Sequence, residues 1–270
     1  MAAVSFTTIA QADRAPPVQW SNLTLGYNRR PAIHHVTGDI EAGSLTALVG
    51  PNGSGKSTLL KGIVGILKPM TGKCTVRTKA GLAYLPQQSE LDRTFPTTVG
   101  CLVALGLWSR RGPLGRHNAA DRMAVAGALT DVGLVGFEDR PIDSLSGGQL
   151  QRALFARVMV QDADLILLDE PFNAIDESTV HDLLHHLKRW HADGRTVIAV
   201  MHDLDLVRSH FPATLLLARE PIAWGSTKQV LTAPNLAKAG AFSAAWQPDA
   251  PWCGHEPDST RDQRHLRVGQ

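Results

Sequence analysis

The chain has little cysteine, almost no net charge and no long apolar run. Its three cysteines, Cys74, Cys101 and Cys253, lie far apart and form no CxxC pair, so neither a disulfide framework nor a zinc finger is indicated. A formal net charge of +2 over 270 residues provides no basic field of the kind that binds nucleic acid. No segment approaches the roughly 20 apolar residues that a membrane-spanning helix needs. We therefore expect no nucleic-acid partner, and contact with a membrane only through another protein.

The N-terminal residues also lack the pattern of a secretory signal. Such a signal has a basic start followed by an apolar run, and Asp13 and Arg14 interrupt any such run in residues 1–17. The sequence has no internal repeats and no heptads. It does have 43% hydrophobic residues, which is enough for one large α/β core with a smaller subdomain attached.

Short apolar runs alternate with helical patterns along the chain. Residues 18–27, 44–49, 164–169 and 196–201 are strand candidates, and the last two are apolar enough to be buried on both faces. Between these two strands, an apolar stripe at helical spacing consists of Val180, Leu183, Leu184, Leu187 and Trp190. Strands that alternate with helices predict a parallel sheet with helices on both faces.

A glycine-rich loop follows the strand candidate at residues 44–49. Residues 50–57 match the pattern G-x-x-x-x-G-K-[ST] between a strand and a helix predicted at residues 56–66. Glycines let backbone N–H groups surround a phosphate, and the helix presents its positive end to the anion. Lys56 is placed to neutralise the β- and γ-phosphates of ATP, and the Ser57 hydroxyl to hold Mg²⁺. The predicted nucleotide-binding residues are Gly50, Pro51, Asn52, Gly53, Ser54, Gly55, Lys56, Ser57 and Thr58.

Two carboxylates end the strand candidate at residues 164–169. Asp169 and Glu170 follow a run of four apolar residues, at the carboxyl end of a parallel strand, where ligands bind. We predict that Asp169 holds the hydration shell of Mg²⁺ and that Glu170 polarises the attacking water. Because neighbouring strand residues point to opposite faces, these two roles require a bend at the strand end, which Pro171 allows.

A second glycine-rich nest opens a helix predicted at residues 149–160. Residues 145–149 read Leu-Ser-Gly-Gly-Gln, and the backbone of such a turn can bind another anion. This motif, lying between a phosphate loop and a Leu-Leu-Asp-Glu strand, resembles the signature of the ATP-binding-cassette ATPases. The resemblance covers roughly residues 18–230. In that family the nest closes over the ATP held by a second cassette, and here it would consist of Ser146, Gly147, Gly148 and Gln149.

The same resemblance implies roles for other residues. Tyr27 resembles the aromatic residue that stacks on adenine, and Gln87 the glutamine that contacts Mg²⁺ and the membrane partner. Asp176 resembles the D-loop aspartate, close to Ala174, where the family more often has glycine. His202 resembles the switch histidine that faces the γ-phosphate. Catalysis is thus expected from Glu170, His202, Lys56 and Gln87, and Mg²⁺ binding from Ser57, Gln87 and Asp169.

The resemblance further implies an α/β fold with three parts. These are a P-loop NTPase core with a mixed, mainly parallel sheet, an N-terminal antiparallel β subdomain and an inserted α-helical subdomain. The ATPase domain would span residues 18–235, with the helical subdomain inserted at about residues 90–155. Residues 236–270 show no clear periodicity and would form a C-terminal extension that is partly disordered.

Partners and cargo are also implied by the resemblance. Two cassettes would form a homodimer that docks, as a peripheral protein, on integral-membrane permease subunits at the cytoplasmic face of the inner membrane, and a solute-binding protein would take part indirectly. The segment at residues 95–99, Phe-Pro-Thr-Thr-Val, is similar to that of zinc, manganese or iron importers. A divalent metal ion is therefore the expected cargo. The alternatives are import of a siderophore or cobalamin, an exporter, a soluble non-transport ATPase and a regulatory module that does not hydrolyse ATP.

Four histidines on one predicted helix raise the question of a metal site. His181 and His185 are one turn apart, as in H-E-x-x-H zinc sites, but the intervening acid is Asp182 and no third ligand is evident. We expect a solvated face opposite the apolar stripe, made of His181, His185, His186 and His191. In the tail, Cys253 and His255 are a second minor metal candidate.

Overall fold

A computed structural model describes residues 15–112 and 115–244. Its strands are Val18–Tyr27 (β1), Arg30–Ile40 (β2), Leu45–Val49 (β3), Thr71–Val76 (β4), Leu82–Leu85 (β5), Leu165–Asp169 (β6), Thr196–Val200 (β7), Ala213–Ala218 (β8) and Glu220–Ser226 (β9). Its α-helices are Lys56–Val64 (α1), Val99–Ala104 (α2), Trp108–Arg111 (α3), Ala119–Asp131 (α4), Gly147–Gln161 (α5), Glu177–Ala192 (α6), Leu204–His210 (α7), Thr227–Val230 (α8) and Ala233–Ala244 (α9).

A six-stranded sheet forms the centre of the molecule, in the order β5-β6-β7-β3-β8-β9. Every neighbouring pair is parallel except β8 and β9. The mixed, mainly parallel sheet that the family resemblance implies is therefore confirmed. Because the strands run the same way, the carboxyl ends of β3, β6 and β7 meet at one edge, where a ligand site is expected.

Both faces of this sheet are covered, which explains the continuous apolar runs. Ile166 and Leu168 of β6 belong to a buried cluster with side chains of α5 and α6. Their neighbours Leu165 and Leu167 belong to a second cluster with α1 and the N-terminal strands. Each apolar side chain in the run is thus buried on one face or the other, as period-two alternation requires.

The predicted N-terminal antiparallel subdomain is a three-stranded sheet in the order β2-β1-β4. It packs on α1 where Leu25 of β1 lies so close to Gly62 that an added Cβ would be 2.2 Å from Leu25 Cδ1, and Trp20 of the same buried cluster is 2% exposed. The sequence reading assigned no strand to β2, because polar residues such as His34, His35 and Thr37 interrupt its alternation. It also missed β8 and β9, which close the far edge of the central sheet.

The predicted helices are present with small differences at their ends. Helix α1 ends at Val64 instead of residue 66, because Gly65 adopts a left-handed φ of +85° and caps it. Helix α5 begins two residues earlier than predicted, with Ser146 as its N-cap. On α6, most of the predicted stripe is fully buried, namely Leu183, Leu184, Leu187 and Trp190.

The predicted solvated histidine face of α6 is wrong for His186. Its side chain is 8% exposed, and its ring lies 6.3 Å from the Phe155 ring of α5. His186 follows Leu183 by three residues, so it shares the face that packs on α5. His191 is half-buried and its Nδ1 is 2.7 Å from Gly43 O, whereas His181 and His185 are exposed.

Helix α9 extends into residues 236–270, for which the sequence showed no clear periodicity. Helix α9 covers Ala233–Ala244 and packs on β8 and β9. Ala239 is 2% exposed and Leu236 contacts the main core. The chain is thus ordered past residue 235, the predicted end of the ATPase domain. Cys253 and His255 lie outside the described residues.

Candidate active site

The phosphate loop connects β3 to α1 at the carboxyl edge of the sheet. Gly55 has a φ of +94°, and an added Cβ would lie 2.0 Å from Ile33 Cγ2, so glycine is required there. Helix α1 then starts at Lys56 with no side-chain cap and no acidic residue in its first turn. Its first-turn N–H groups and the positive end of its dipole are therefore available to an anion.

Lys56 is buried against the loop that precedes it. Its side chain is 6% exposed, and Nζ donates to Gly50 O at 2.9 Å and to Pro51 O at 3.0 Å. Burial lowers the pKa of Lys56, while Glu170 and Asp169 act to raise it. The loop thus holds a desolvated cation that can exchange these carbonyls for phosphate oxygens.

The Glu170 side chain contacts two other predicted catalytic side chains, those of Gln87 and His202. Its Oε1 accepts a hydrogen bond from Gln87 Nε2 at 2.5 Å and is 2.7 Å from His202 Nε2. Its backbone φ is +52°, a left-handed conformation that turns its side chain away from the β6 alternation. The bend expected at the strand end is therefore present, and it occurs at Glu170 itself.

Asp169 is fully buried next to the phosphate loop. Ser57 Oγ donates to its Oδ1 at 3.1 Å, whereas Oδ2 is buried without a hydrogen-bond partner. Burial raises the pKa of Asp169 to about 6. A hydroxyl and a desolvated carboxylate with an unpartnered oxygen are the hard oxygen ligands that Mg²⁺ prefers. Ser57 and Asp169 therefore fit a magnesium ion.

The buried carboxylate of Asp169 should weaken the metal-free protein at neutral pH. The unfolded chain releases this proton near pH 4 and the folded protein near pH 6, so stability falls as the pH rises between these values. About two pKa units correspond to roughly 3 kcal/mol. In EDTA at pH 7.5, we expect Asp169→Asn to raise the free energy of unfolding by roughly 1 to 3 kcal/mol.

Urea unfolding of the two proteins at pH 7.5 and pH 4.5 measures this effect. The rise in the free energy of unfolding that Asp169→Asn causes should be smaller at pH 4.5, where Asp169 is already protonated in the folded wild type. Asp39→Asn, which changes an exposed carboxylate, serves as the control and should change stability by less than about 0.5 kcal/mol. Equal stability of wild type and Asp169→Asn at both pH values would contradict the assigned burial cost.

Nine of the predicted site residues line one open cavity of about 520 Å³ at this edge of the sheet. Its lining consists of Ala32, Asn52, Gly53, Gly55, Lys56, Ser57, Thr58, Gln87, Glu170 and His202. Within the described chain, this lining does not include Tyr27, Asp176 or the nest at residues 146–149. Tyr27 is 45% exposed at the end of β1, so its stacking on adenine stays a prediction.

The signature nest forms the N-terminus of α5. Ser146 Oγ accepts from Gln149 N at 3.2 Å, and Gln149 Oε1 accepts from Ser146 N at 2.9 Å, a reciprocal capping box. Gly148 permits a close approach, because an added Cβ would lie 2.7 Å from Ala174 O. The nest thus packs directly against the turn that carries Ala174.

Asp176 has a structural role that the sequence reading did not assign. It is the N-cap of α6, and its carboxylate accepts from Thr179 N, Thr179 Oγ1 and Ser178 Oγ at 2.6 to 3.0 Å. These bonds, with Ser178 first, lower the pKa of Asp176. The negatively charged Asp176 carboxylate is therefore held at the start of α6, where negative charge is favoured.

Ala174 occupies a left-handed conformation with a φ of +59°. The Cβ of an L-residue costs roughly 1 to 2 kcal/mol in this region. We therefore expect Ala174→Gly to raise the free energy of unfolding by about 1 kcal/mol, measured by urea denaturation. Ala126→Gly, on an exposed turn of α4, is the matched control and should lower it by about the same amount. A loss of stability in both variants would contradict the strain at Ala174.

Several polar residues that support the site were missed by the sequence reading. Gln151, 1% exposed on α5, donates from Nε2 to Glu170 O and Pro171 O, both at 3.2 Å. Asn173 Nδ2 reaches Glu170 Oε2 at 3.4 Å. For Gln151, the only available signal was a polar residue on the buried face of a helix, since its contacts join α5 to the turn after β6.

The histidines of α6 do not form a metal site of three or more ligands in the described chain. In the part of the chain that the structure describes, no group of three or more His, Cys, Asp or Glu side chains is placed to hold a metal ion. Over the same residues, no helix is both long and apolar enough to span a bilayer.

Comparison with known proteins agrees with this geometry. Residues 33–173 match the family model described as ABC transporter. The chain is 40% identical over 216 residues to the manganese transport system ATP-binding protein MntB of Listeria monocytogenes, covering 78% of this chain and 90% of that protein. It is 38% identical over 245 residues to the zinc transport system ATP-binding protein TroB of Treponema pallidum, covering 88% and 90%.

A solved structure extends the similarity to the fold. It is a dimeric ATP-binding cassette in a post-hydrolysis state, bound to ADP and Pi, with a TM-score of 0.69 and 26% identity over 78% of this chain and 98% of that one. The family match covers more than half of this chain, and the relatives match it over most of their length. The chain therefore belongs to the ABC transporter family, as one of its ATP-hydrolysing cassettes.

Proposed function

We propose that this cassette hydrolyses MgATP to drive import of a divalent metal ion through a separate membrane subunit. The observation that carries the catalytic part is the convergence of Gln87 and His202 on one oxygen of Glu170, beside the phosphate-loop cavity. A carboxylate held in this way is preorganised to accept a proton from water. Transport itself is inferred from the named systems of the relatives.

In the proposed reaction, the oxygen of a water molecule attacks the γ-phosphorus of ATP. The water proton passes to Glu170, the bond from the γ-phosphorus to the bridging oxygen breaks, and ADP leaves with the electron pair. Lys56 and the first-turn N–H groups of α1 neutralise the charge on the phosphate oxygens. His202 and Gln87 orient Glu170, and His202 faces the γ-phosphate.

Magnesium would be held by Ser57, by Asp169 through water and by Gln87. When bound, it supplies positive charge to the phosphate oxygens that bear charge in the transition state. The unpartnered Oδ2 of Asp169 supports this assignment, since a buried carboxylate is stabilised by a cation. Removal of magnesium with EDTA should therefore stop phosphate release.

The signature nest is proposed to complete the site of a second copy. It does not line the cavity of its own phosphate loop, and the similar solved cassette is a dimer. A homodimer with each nest over the partner's ATP accounts for both observations. Tyr27 would stack on adenine, and Asp176 would lie at the interface between the cassettes, next to the nest.

The cargo is inferred from relatives that are named as parts of manganese and zinc transport systems. The cassette would dock on integral-membrane permease subunits at the cytoplasmic face of the inner membrane, and a solute-binding protein would deliver the ion. The segment at residues 95–99, with Phe95 63% exposed, is the proposed docking region.

Two measurements test the cargo. Co-purification with the tagged chain should recover a permease and a solute-binding protein, and metal analysis of the latter should find manganese or zinc. Cells that express the wild-type chain should take up radioactive ⁵⁴Mn or ⁶⁵Zn faster than cells that express Glu170→Gln at equal abundance. Equal uptake of both isotopes by the two kinds of cell would contradict manganese and zinc as the cargo, and a bound siderophore or cobalamin would contradict metal-ion import.

A further inference from the structure

The residues directly after Gln87 connect the catalytic carboxylate to the signature nest of the same chain. We name residues 87–93 the bridging segment. At one end, Gln87 Nε2 donates to Glu170 Oε1 at 2.5 Å. Further along, Gln88 Nε2 donates to Gly147 O at 2.5 Å, and the Arg93 guanidinium donates to Leu145 O. The two carbonyls that these side chains bind flank Ser146.

These two contacts fix the orientation of the nest. A peptide unit is planar, and in the trans form its C=O and the following N–H point in opposite directions. A donor that holds Gly147 O therefore also sets the direction of the Gly148 N–H. In the same way, a donor on Leu145 O sets the direction of the Ser146 N–H, which Gln149 holds from the other side.

The bridging segment is itself anchored to the phosphate-loop helix. Lys61 Nζ of α1 lies 2.5 Å from Glu90 Oε1, and both side chains are partly shielded from solvent. Asp92 Oδ1 also accepts from Thr94 N and Thr94 Oγ1, which closes a local turn beside Arg93. The donors of Gln88 and Arg93 are thus presented from a backbone that is held at several points.

We propose that Gln88 and Arg93 are positioning residues that hold the backbone of the signature nest on both sides of Ser146 and so orient the Gly148 N–H. This inference rests on the proposed function of the nest, which is to bind the ATP of the partner cassette. Neither side chain needs to touch the nucleotide of its own chain for this role. Loss of either one should therefore weaken closure of the dimer while leaving ATP binding to the single cassette unchanged.

Removal of the Arg93 guanidinium should have the larger effect. Leu145 is 3% exposed, so its carbonyl would lose a charged donor in a place that water does not readily reach. Gln88 is half-buried, and water can take its place more easily. We expect at least a tenfold rise in the dissociation constant of the ATP-bound dimer for Arg93→Leu, and roughly a fivefold rise for Gln88→Leu.

The test uses the full chain with Glu170→Gln as the parent, so that bound ATP persists. Dimer formation in MgATP is measured by sedimentation, and affinity for a fluorescent ATP analogue is measured at a protein concentration where the chain is monomeric. Arg110→Leu is the matched control, because Arg110 Nη2 donates to Val160 O at 2.7 Å, at the opposite end of α5. Arg93→Lys keeps a donor and should recover part of the affinity.

The expected result is weaker dimerisation of the Arg93 and Gln88 variants, with analogue affinity close to that of the parent and a loss of melting temperature no larger than that of Arg110→Leu. Equal dimerisation of all variants would overturn the inference, as would an equal loss in Arg110→Leu. If Arg93→Leu does not fold, Gln88→Leu and Arg93→Lys decide the question by the same criteria. A parent that does not dimerise in MgATP would overturn the proposed dimer, and this inference with it.

Discussion

Glu170→Gln should bind ATP as tightly as the wild type and release phosphate roughly 10² to 10⁴ times more slowly, the range of general-base catalysis. Glutamine keeps the size of the side chain, and its Oε1 can still accept from Gln87 and His202, as Glu170 does. It cannot accept the proton of the attacking water. A release assay gives the rate, and light scattering in MgATP should show a dimer that persists because ATP is not consumed.

Glu41→Gln is the control for this experiment. Glu41 is exposed, in the turn between β2 and β3, at the opposite edge of the sheet from Glu170. Its replacement should leave turnover unchanged. Normal turnover by Glu170→Gln would remove this residue from the role of base. Slow turnover of Glu170→Gln together with weak ATP binding would instead indicate that Glu170 contributes to ATP binding.

Lys56→Met should lose both nucleotide binding and turnover. Methionine fills much of the buried channel of the lysine chain but brings no charge. A charged hydrogen bond is worth roughly 1.5 to 3 kcal/mol, so we expect ATP affinity to fall by about 10- to 150-fold. Turnover should fall further, by at least about 100-fold, because charge on the γ-phosphate oxygens is neutralised in the transition state.

Isothermal titration with ATP and a phosphate-release assay measure the two effects separately. Lys68→Ala is the control, since Lys68 is an exposed lysine shortly after the end of α1. It should bind and hydrolyse ATP like the wild type. Because Lys56 also donates to Gly50 O and Pro51 O, the melting temperature of Lys56→Met must be recorded. A stable variant with normal ATP affinity would refute the role of Lys56 in binding.

The sequence was most informative where chemistry requires a fixed local pattern. The phosphate loop, the strand that ends in Asp169 and Glu170, and the helix that starts after Ser146 were all predicted, and each depends on residues close together in the chain. The parallel strands were also predicted, because strands buried on both faces leave continuous apolar runs, whereas the mixed sheet was implied by the family resemblance. The convergence of Gln87, Glu170 and His202 was expected only from the family resemblance.

The features that were missed depend on contacts between distant residues. The sequence around Gln88 and Arg93 does not indicate a role for them. Their role follows from the fold, which places the signature nest beside them. Gln151 is a polar residue on a buried helix, and only the fold shows that it holds the turn at Glu170. Strand β2 was missed because polar residues such as His34 and Thr37 interrupt its alternation, and its contacts with β9 join distant parts of the chain.

The helices α2 to α5 are inserted between two strands that lie side by side. The chain leaves the sheet at the end of β5 and returns in β6, and these strands pair directly, Leu82 with Leu165 and Leu85 with Leu168. The entropy cost of closing such an excursion grows only with the logarithm of its length. Helices α2 to α4 contain none of the predicted site residues, so this part of the insert can change in length or sequence without shifting the register of the sheet. Evolution could adapt such a cassette to a different partner through these helices alone, while Gln87, the signature nest and α5 keep their places.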